Sequence, residues 1–370
     1  MHQLRFKLII AVFMLVASFV SYAQKSYTYQ QPQEQSDGWP TKNLISDSVD
    51  VSLIEKLINQ LATGKHRMDS TILIIGGDLV FEHYFGSFKM DQQHDLRSVT
   101  KSIRALLVGI AIDKGYIDSI EDPIFKYLKS HQVKKNKHPA KQQITIKHLL
   151  TMSTGLECND WDKKSKGQED KVYKKKDWIQ YTLDLPVKNE PGAVAYYCSM
   201  GAILVAEVIE QASGMGIDAF AKKYLFKPLG ISNYSWGHTS KKKSILSSGK
   251  RLYMTTRDLA KLGQLVLQGG QWQGTQLISK MWIEQATTAQ VKLAQLDYGF
   301  FWWNIPFHVG GNQYNIKTAT GNGGQYIFVS PELNMVAVFT GSAYNSEEDK
   351  LPFAIIKDVF LPTLLETKHH

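Results

Sequence analysis

Residues 97–103, Arg-Ser-Val-Thr-Lys-Ser-Ile, open a strongly apolar segment that ends at Lys114-Gly115. The apolar spacing and the glycine stop predict a buried helix. Ser98 and Lys101 are three residues apart, so their side chains share one face of that helix. A serine hydroxyl becomes a good nucleophile when a base takes its proton, and a half-buried lysine amine can be that base. The pair therefore indicates either a nucleophile with its base, or a capping serine beside a solvated lysine.

The N-terminus has the three-part pattern of a secretory signal peptide. Arg5 and Lys7 precede an apolar run over residues 8–20, and Ser21-Tyr22-Ala23 precedes Gln24. We expect cleavage after Ala23. A membrane anchor is the alternative, but the run is shorter than the roughly 20 residues of a span. The mature protein is therefore expected in the periplasm or outside the cell, with no stable membrane span.

The chain of 370 residues carries a formal net charge of +9. Its lysines cluster in three runs between periodic segments, which predicts solvated loops. Since no nucleic-acid-binding motif accompanies them, we expect no nucleic-acid partner. Residues 24–50 are polar and predict a loose leader, followed by one domain over residues 51–366.

The pattern of elements predicts an α+β fold. Strands are expected at residues 71–75 and 79–84, around the Gly76-Gly77-Asp78 hairpin signal, and again in four segments from 298 to 340. Helices are expected between these two groups and over about 349–359. Strands at both ends of the chain suggest one antiparallel sheet shared by the termini. We expect an α/β lobe (about 51–100 and 250–366), a helical lobe (about 101–249) and a site in the cleft between them.

A second group of candidate residues follows Pro191-Gly192. Tyr196, Tyr197 and Ser199 end a loop where an apolar helix begins. A tyrosine near a lysine cation has a lowered pKa and can relay a proton. The spacing does not choose between the two tyrosines, and ordinary core aromatics are the alternative interpretation.

A third group is the glycine-rich segment Gly321-Asn322-Gly323-Gly324-Gln325 between two predicted strands. Glycine lets a backbone approach a ligand closely, and a strand-end N–H can donate to an oxyanion. A plain hairpin turn is the alternative.

The two cysteines, Cys158 and Cys198, can pair in an exported protein. We hypothesise a disulfide, which would contribute about 4 kcal/mol in the chain-entropy model. Two buried free thiols are the alternative.

These three groups, in this order, resemble the serine hydrolases related to class C β-lactamases and penicillin-binding proteins. The resemblance covers about residues 65–360: Ser98-x-x-Lys101, then Tyr197-x-Ser199, then the glycine-rich turn before Pro331-Glu332. The turn most resembles the branch containing 6-aminohexanoate-dimer hydrolases and related esterases.

The resemblance implies a role for each residue. Ser98 would be the acylated nucleophile, Lys101 would take its proton, and Tyr197 would relay it to the leaving group. The backbone N–H groups of Ser98 and Asn322 would form the oxyanion hole, and water would deacylate the enzyme without cofactor or metal. Substrate contacts would come from Ser199, Thr320, Gly321 and Gly323.

Two departures from the family bear on the substrate. Ser199 stands where the second motif usually has Asn, and Ala319-Thr320-Gly321 occupies a place that often carries a cation for a substrate carboxylate. Lys317 is a poor substitute for that cation. We therefore expect an ester or amide substrate, small or peptide-like. The alternatives are a β-lactamase or D-Ala-D-Ala carboxypeptidase, and a non-catalytic cell-wall or ligand-binding protein.

Overall fold

A computed structural model describes residues 26–237 and 247–366 of the chain. The signal-peptide pattern of residues 1–23 lies outside the described residues.

The strands and helices alternate in blocks along the chain. The strands are β1 (Met68–Ile75), β2 (Asp78–Tyr84), β3 (His94–Asp95), β4 (Tyr234–Gly237), β5 (Arg251–Met254), β6 (Gln271–Trp272), β7 (Thr275–Gln276), β8 (Val291–Leu293), β9 (Leu296–Tyr298), β10 (Trp303–Val309), β11 (Asn312–Gly321), β12 (Gln325–Ser330) and β13 (Met335–Gly341). The α-helices are α1 (Ser52–Thr63), α2 (Val99–Asp113), α3 (Ile146–Leu150), α4 (Glu169–Val172), α5 (Trp178–Leu183), α6 (Ser199–Ser213), α7 (Ile217–Ala221), α8 (Thr256–Leu267), α9 (Lys280–Thr287), α10 (Leu351–Ile355) and α11 (Leu361–Glu366). Short π-helical turns over Lys222–Phe226 and Ile356–Phe360 follow α7 and α10.

The central sheet has eight antiparallel strands in the order β2-β1-β13-β12-β11-β10-β9-β8. Strand β1, second from one edge, pairs with β13, with Ile72 opposite Val338. The N-terminal hairpin is thereby joined to the C-terminal strands. The predicted α+β fold, with one antiparallel sheet built from both ends of the chain, is confirmed.

The sheet buries both of its faces. Side chains alternate across a strand, so successive residues of β1 enter different cores. Ile72 and Ile74 belong to the core that continues into α2, α6 and α8, while Leu73 belongs to the core under α1 and the C-terminal helices. The first core extends into the helical middle of the chain and supports the segment around Ser98.

Helix α2 is buried almost throughout, as its composition predicts. Every residue from Val99 to Ala111 is buried, and α2 packs against α6, whose residues from Ser199 to Ile209 are also buried. The start of each helix therefore has a fixed position relative to the other. These two helix starts carry the first and second motifs.

The segment before α1 differs from the predicted loose leader. Tyr29 and Trp39 are 5% and 3% exposed. The Tyr29 hydroxyl donates to the Val80 carbonyl at 2.7 Å, and the Trp39 indole N–H donates to the Arg257 carbonyl at 3.1 Å. A few aromatic side chains thus anchor a polar stretch whose average composition does not predict a packed structure.

A second, three-stranded sheet, β3-β5-β4, was not predicted because its strands are short. It pairs Asp95 with Tyr253 and so fixes the chain three residues before Ser98.

Within the described residues, no single helix is long and apolar enough to cross a membrane. Only Ser199–Ser213 taken with Ile217–Phe226, a pair bent by 77°, meets that length and composition.

Candidate active site

The Ser98 and Lys101 side chains meet at the start of α2. Lys101 Nζ donates to Ser98 Oγ at 2.8 Å. Lys101 is 8% exposed. Among the described residues, the Ser98 side chain makes no capping bond to the helix. The structure therefore does not match the interpretation of a capping serine beside a solvated lysine. Lys101 is buried beside the Ser98 hydroxyl.

The backbone before Ser98 is held in an uncommon conformation. Arg97 has φ +48°, in the left-handed region that non-glycine residues seldom adopt. Its N–H donates to Asp95 Oδ1 at 3.1 Å, and the same carboxylate forms ion pairs with the Arg97 and Arg251 guanidinium groups at 3.1 and 3.3 Å. Asp95 therefore stabilises the turn that presents Ser98.

Tyr197, and not its neighbour, faces the lysine. The Lys101 ammonium lies 5.0 Å from the centroid of the Tyr197 ring, whereas Tyr196 is 42% exposed. Two indole rings lie nearly parallel to the Tyr197 ring: its centroid is 5.1 Å from that of Trp161 and 6.3 Å from that of Trp303. The stack limits the directions in which the phenol can turn.

Three further aromatic residues of this part of the chain, Tyr298, Phe301 and Trp302, are core residues, each at most 2% exposed. Trp161, by contrast, is 58% exposed, so it forms the outer, solvent-facing layer of the stack on Tyr197.

The glycine-rich segment is the turn between β11 and β12. Gly321 packs so closely on the chain before Ser98 that a Cβ there would lie 2.5 Å from the Leu96 carbonyl oxygen. Gly323 and Gly324 have φ +97° and +99°, a conformation that favours glycine. The absence of side chains at these positions lets Asn322 sit beside the helix that begins after Ser98.

A cavity of about 180 Å³ brings the three motifs together. Its walls include Ser98, Lys101, Ser199 and Asn322. Thr320 is half-buried in β11 opposite Tyr326, and a Cβ on Gly323 would meet the Tyr344 ring at 2.5 Å. Four of the predicted site residues do not line this cavity, namely Tyr197, Thr320, Gly321 and Gly323, and neither does Lys317.

Asp160 was missed by the sequence analysis. Its Oδ2 accepts the Ser199 N–H at 2.7 Å, and its Oδ1 accepts the Glu169 N–H at 3.0 Å. Burial first, and then the charge of Glu169, raise the pKa of this carboxyl from 3.8 to about 6, against opposing effects of Lys101 and of the bonds to Ser199. The only signal in the sequence was its position two residues after Cys158.

The loop that carries Asp160 is covalently joined to the second motif. Cys158 and Cys198 form a disulfide with a Cα–Cα distance of 5.5 Å. The bond fixes Asp160 and Trp161 beside Tyr197 and Ser199. In residues 26–237 and 247–366, no three His, Cys, Asp or Glu side chains cluster as metal ligands would.

A family comparison agrees with this arrangement. The beta-lactamase family matches the chain over residues 54–358. The chain belongs to the beta-lactamase family. It is a serine hydrolase related to β-lactamases, as the order of its motifs predicts.

Among relatives in this family, the 6-aminohexanoate-dimer hydrolase of Paenarthrobacter ureafaciens is 23% identical over 292 residues, which are 73% of this chain and 71% of the relative. A structure from Bacillus anthracis, provisionally described as a 6-aminohexanoate-dimer hydrolase, superposes with a TM-score of 0.69 at 18% identity and covers 92% of this chain and 91% of its own. A class C β-lactamase from Rhodobacter sphaeroides gives a TM-score of 0.62 at 16% identity, with 84% and 99% covered.

Proposed function

We propose that this protein is an exported hydrolase that cleaves an ester or amide through a covalent acyl-enzyme on Ser98. The observation that carries the proposal is the 2.8 Å hydrogen bond between Lys101 Nζ and Ser98 Oγ, made where Lys101 is 8% exposed. The bond places a lysine nitrogen within proton-transfer distance of the serine hydroxyl, which is the geometry that a general base requires.

In the acylation step, Ser98 Oγ attacks the substrate carbonyl carbon while Lys101 Nζ takes the hydroxyl proton. The carbonyl oxygen becomes an oxyanion, which accepts hydrogen bonds from the backbone N–H groups of Ser98 and Asn322. Tyr197 passes the proton to the leaving alcohol or amine as its bond to the carbonyl carbon breaks.

In the deacylation step, water attacks the acyl carbon of the Ser98 ester. The same groups accept the water proton and return it to Ser98 Oγ, so that the acid leaves and the enzyme is restored. The full cycle consumes one water and requires only side chains and backbone N–H groups of this chain.

The surroundings of Tyr197 support a substrate with an apolar portion. Trp161 is 58% exposed and stacks on Tyr197, and Tyr196 and Val194, in the same segment, are 42% and 38% exposed. Apolar surface exposed in one place is typical of a binding surface. The name of the Paenarthrobacter relative, a 6-aminohexanoate-dimer hydrolase, supports the ester or amide class.

Two features support export. The first is the signal-peptide pattern of residues 1–23. The second is the Cys158–Cys198 disulfide, because such bonds persist mainly in oxidising compartments.

Replacement of the nucleophile tests the proposal. Ser98→Ala should lower the turnover of a p-nitrophenyl ester by roughly 10³-fold or more. Intact mass spectrometry should detect an acyl adduct on the wild type and none on the variant. Ser130→Ala, an exposed serine in another loop, is the matched control and should retain activity. Full activity of Ser98→Ala would overturn the assignment.

The alternatives give different results in the same assays. Faster turnover of nitrocefin than of any ester or amide would favour a β-lactamase. Absence of labelling by a fluorophosphonate probe, together with absence of turnover, would favour a non-catalytic binding protein.

A further inference from the structure

Asp160 forms hydrogen bonds with the backbone of both Tyr197 and Ser199, the two residues of the second motif. Its carboxylate accepts the N–H of Ser199 at 2.7 Å, and its own N–H donates to the Tyr197 carbonyl at 2.8 Å. The second carboxylate oxygen accepts the Glu169 N–H at 3.0 Å. With the Cys158–Cys198 disulfide two residues away, Asp160 has little freedom to move relative to Tyr197.

The carboxylate occupies the N-terminal end of α6. Ser199 is the first residue of that helix, and Cys198 before it makes no side-chain cap. Free N–H groups at a helix start attract negative charge. Asp160 therefore caps α6 from a different loop and is a fixed anion at the start of that helix.

Several charged and titratable groups surround this anion. Lys101, from α2, interacts with it favourably, and Glu169, from α4, interacts unfavourably. The Tyr173 hydroxyl donates to Glu169 Oε2 at 2.9 Å. Burial first, and then Glu169, raise the pKa of Tyr173 well above its usual range, against an opposing effect of Arg251 from β5. Asp160 accepts the N–H of Ser199, and Ser199 lines the same cavity as Lys101, so the anion lies near that cation.

The proposed acylation step forms a positive charge on Lys101 that the Asp160 carboxylate can stabilise. When Lys101 takes the proton of Ser98, a neutral amine becomes an ammonium. A fixed carboxylate stabilises that cation, in the way that a third group supports a general base in other serine hydrolases.

We propose that Asp160 is a positioning residue of this enzyme: it holds the Tyr197–Ser199 turn and, as an anion, stabilises Lys101 while that amine carries the proton of Ser98. The proposal rests on the proposed function. In the step itself the Ser98 proton moves to Lys101 Nζ as the Oγ–carbon bond forms. Asp160 remains ionised and receives no proton.

The test is Asp160→Asn, which keeps the size and one acceptor oxygen but removes the charge. The kcat/KM for a p-nitrophenyl ester should fall by about tenfold or more at pH 8, mainly through kcat. Asp162→Asn makes the same change on an exposed residue of the same loop and should leave the rate unchanged. Circular dichroism confirms that both variants are folded.

The pH dependence separates an electrostatic role from a structural one. The raised pKa of about 6 means that Asp160 is ionised above pH 6 and becomes neutral as the pH falls through 6. The ratio of wild-type to Asp160→Asn kcat/KM should therefore fall towards one between pH 8 and pH 5. A ratio that is the same at every pH, or equal to one throughout, would overturn the proposal.

If Asp160→Asn does not fold, a second variant tests the proposed role of Asp160. Glu169→Gln removes a neighbouring charge that raises the pKa of Asp160, so the acid limb of kcat/KM should move to lower pH. An unmoved limb would overturn the inference about Asp160. Activity in Ser98→Ala would instead overturn the proposed function, so the two failures are distinguishable.

Discussion

At the scale of single residues, burial gives the Ser98–Lys101 spacing its meaning. Serine and lysine three residues apart are common on solvated helices, where the lysine ammonium is fully hydrated. Here Lys101 is 8% exposed and its Nζ lies 2.8 Å from Ser98 Oγ. The same amine lies 5.0 Å from the centroid of the Tyr197 ring, so a second candidate for proton transfer lies beside it.

Tyr197→Phe removes the phenolic hydroxyl and keeps the stacked ring. If Tyr197 relays the proton, kcat should fall by about 10²-fold or more, since a positioned acid–base group contributes about that much. Steady-state ester hydrolysis measures the effect. Tyr196→Phe is the matched control, because that side chain is 42% exposed. Equal losses in the two variants would contradict the choice of Tyr197.

At the scale of elements, the site depends on three chain segments whose ends must stay close to one another. Helix α2 presents Ser98 and Lys101, helix α6 begins beside Tyr197, and the turn after β11 carries Asn322. Close packing of Gly321 on the Leu96 carbonyl joins the turn to α2, and the disulfide joins the Asp160 loop to α6. The first connection is a close backbone contact and the second is a covalent bond, so both restrict movement more than an ordinary side-chain contact does.

Reduction of the Cys158–Cys198 disulfide should lower the free energy of unfolding by about 4 kcal/mol, because the unfolded chain regains the freedom of the closed loop. Activity should fall as well, since the bond fixes the loop beside Tyr197. Denaturant unfolding with and without reductant measures the first effect. The sequence contains two cysteines, so reductant should not change the stability of a Cys158→Ser/Cys198→Ser variant. An unfolding midpoint that is the same for oxidised and reduced wild type would contradict this view.

At the scale of the whole molecule, the sheet joins distant parts of the chain. Strand β1 pairs with β13, and the segment before α1 is anchored on the same unit by Arg257 of α8. The Arg257 side chain is 4% exposed and forms ion pairs with Glu82 at 2.6 Å and with Asp37 at 2.9 Å. One buried guanidinium therefore connects β2, α8 and the N-terminal segment.

Arg257→Met should lower the free energy of unfolding by about 3 to 5 kcal/mol, since it leaves the buried Glu82 carboxylate without its cation. Arg67→Met is the matched control. The Arg67 side chain is 57% exposed and pairs with Glu348 at 3.6 Å, so its loss should cost at most about 1 kcal/mol. Chemical denaturation compares the two variants. Similar losses of unfolding free energy in the two variants would show that burial of the Arg257 ion pairs contributes nothing to stability.

The sequence by itself determined the fold class and the three motifs, because these depend on local periodicity and on the order of residue types along the chain. Only the tertiary structure chose Tyr197 over Tyr196 and brought Asp160 to Ser199, because those choices depend on how α2, α6 and the disulfide loop pack. The tertiary structure also packed residues 26–50. Their average composition is polar, but a few aromatic side chains in the segment are buried and anchor it. Contacts between residues far apart in the chain carry no local pattern, and the acid–base environment of Lys101 is built from such contacts.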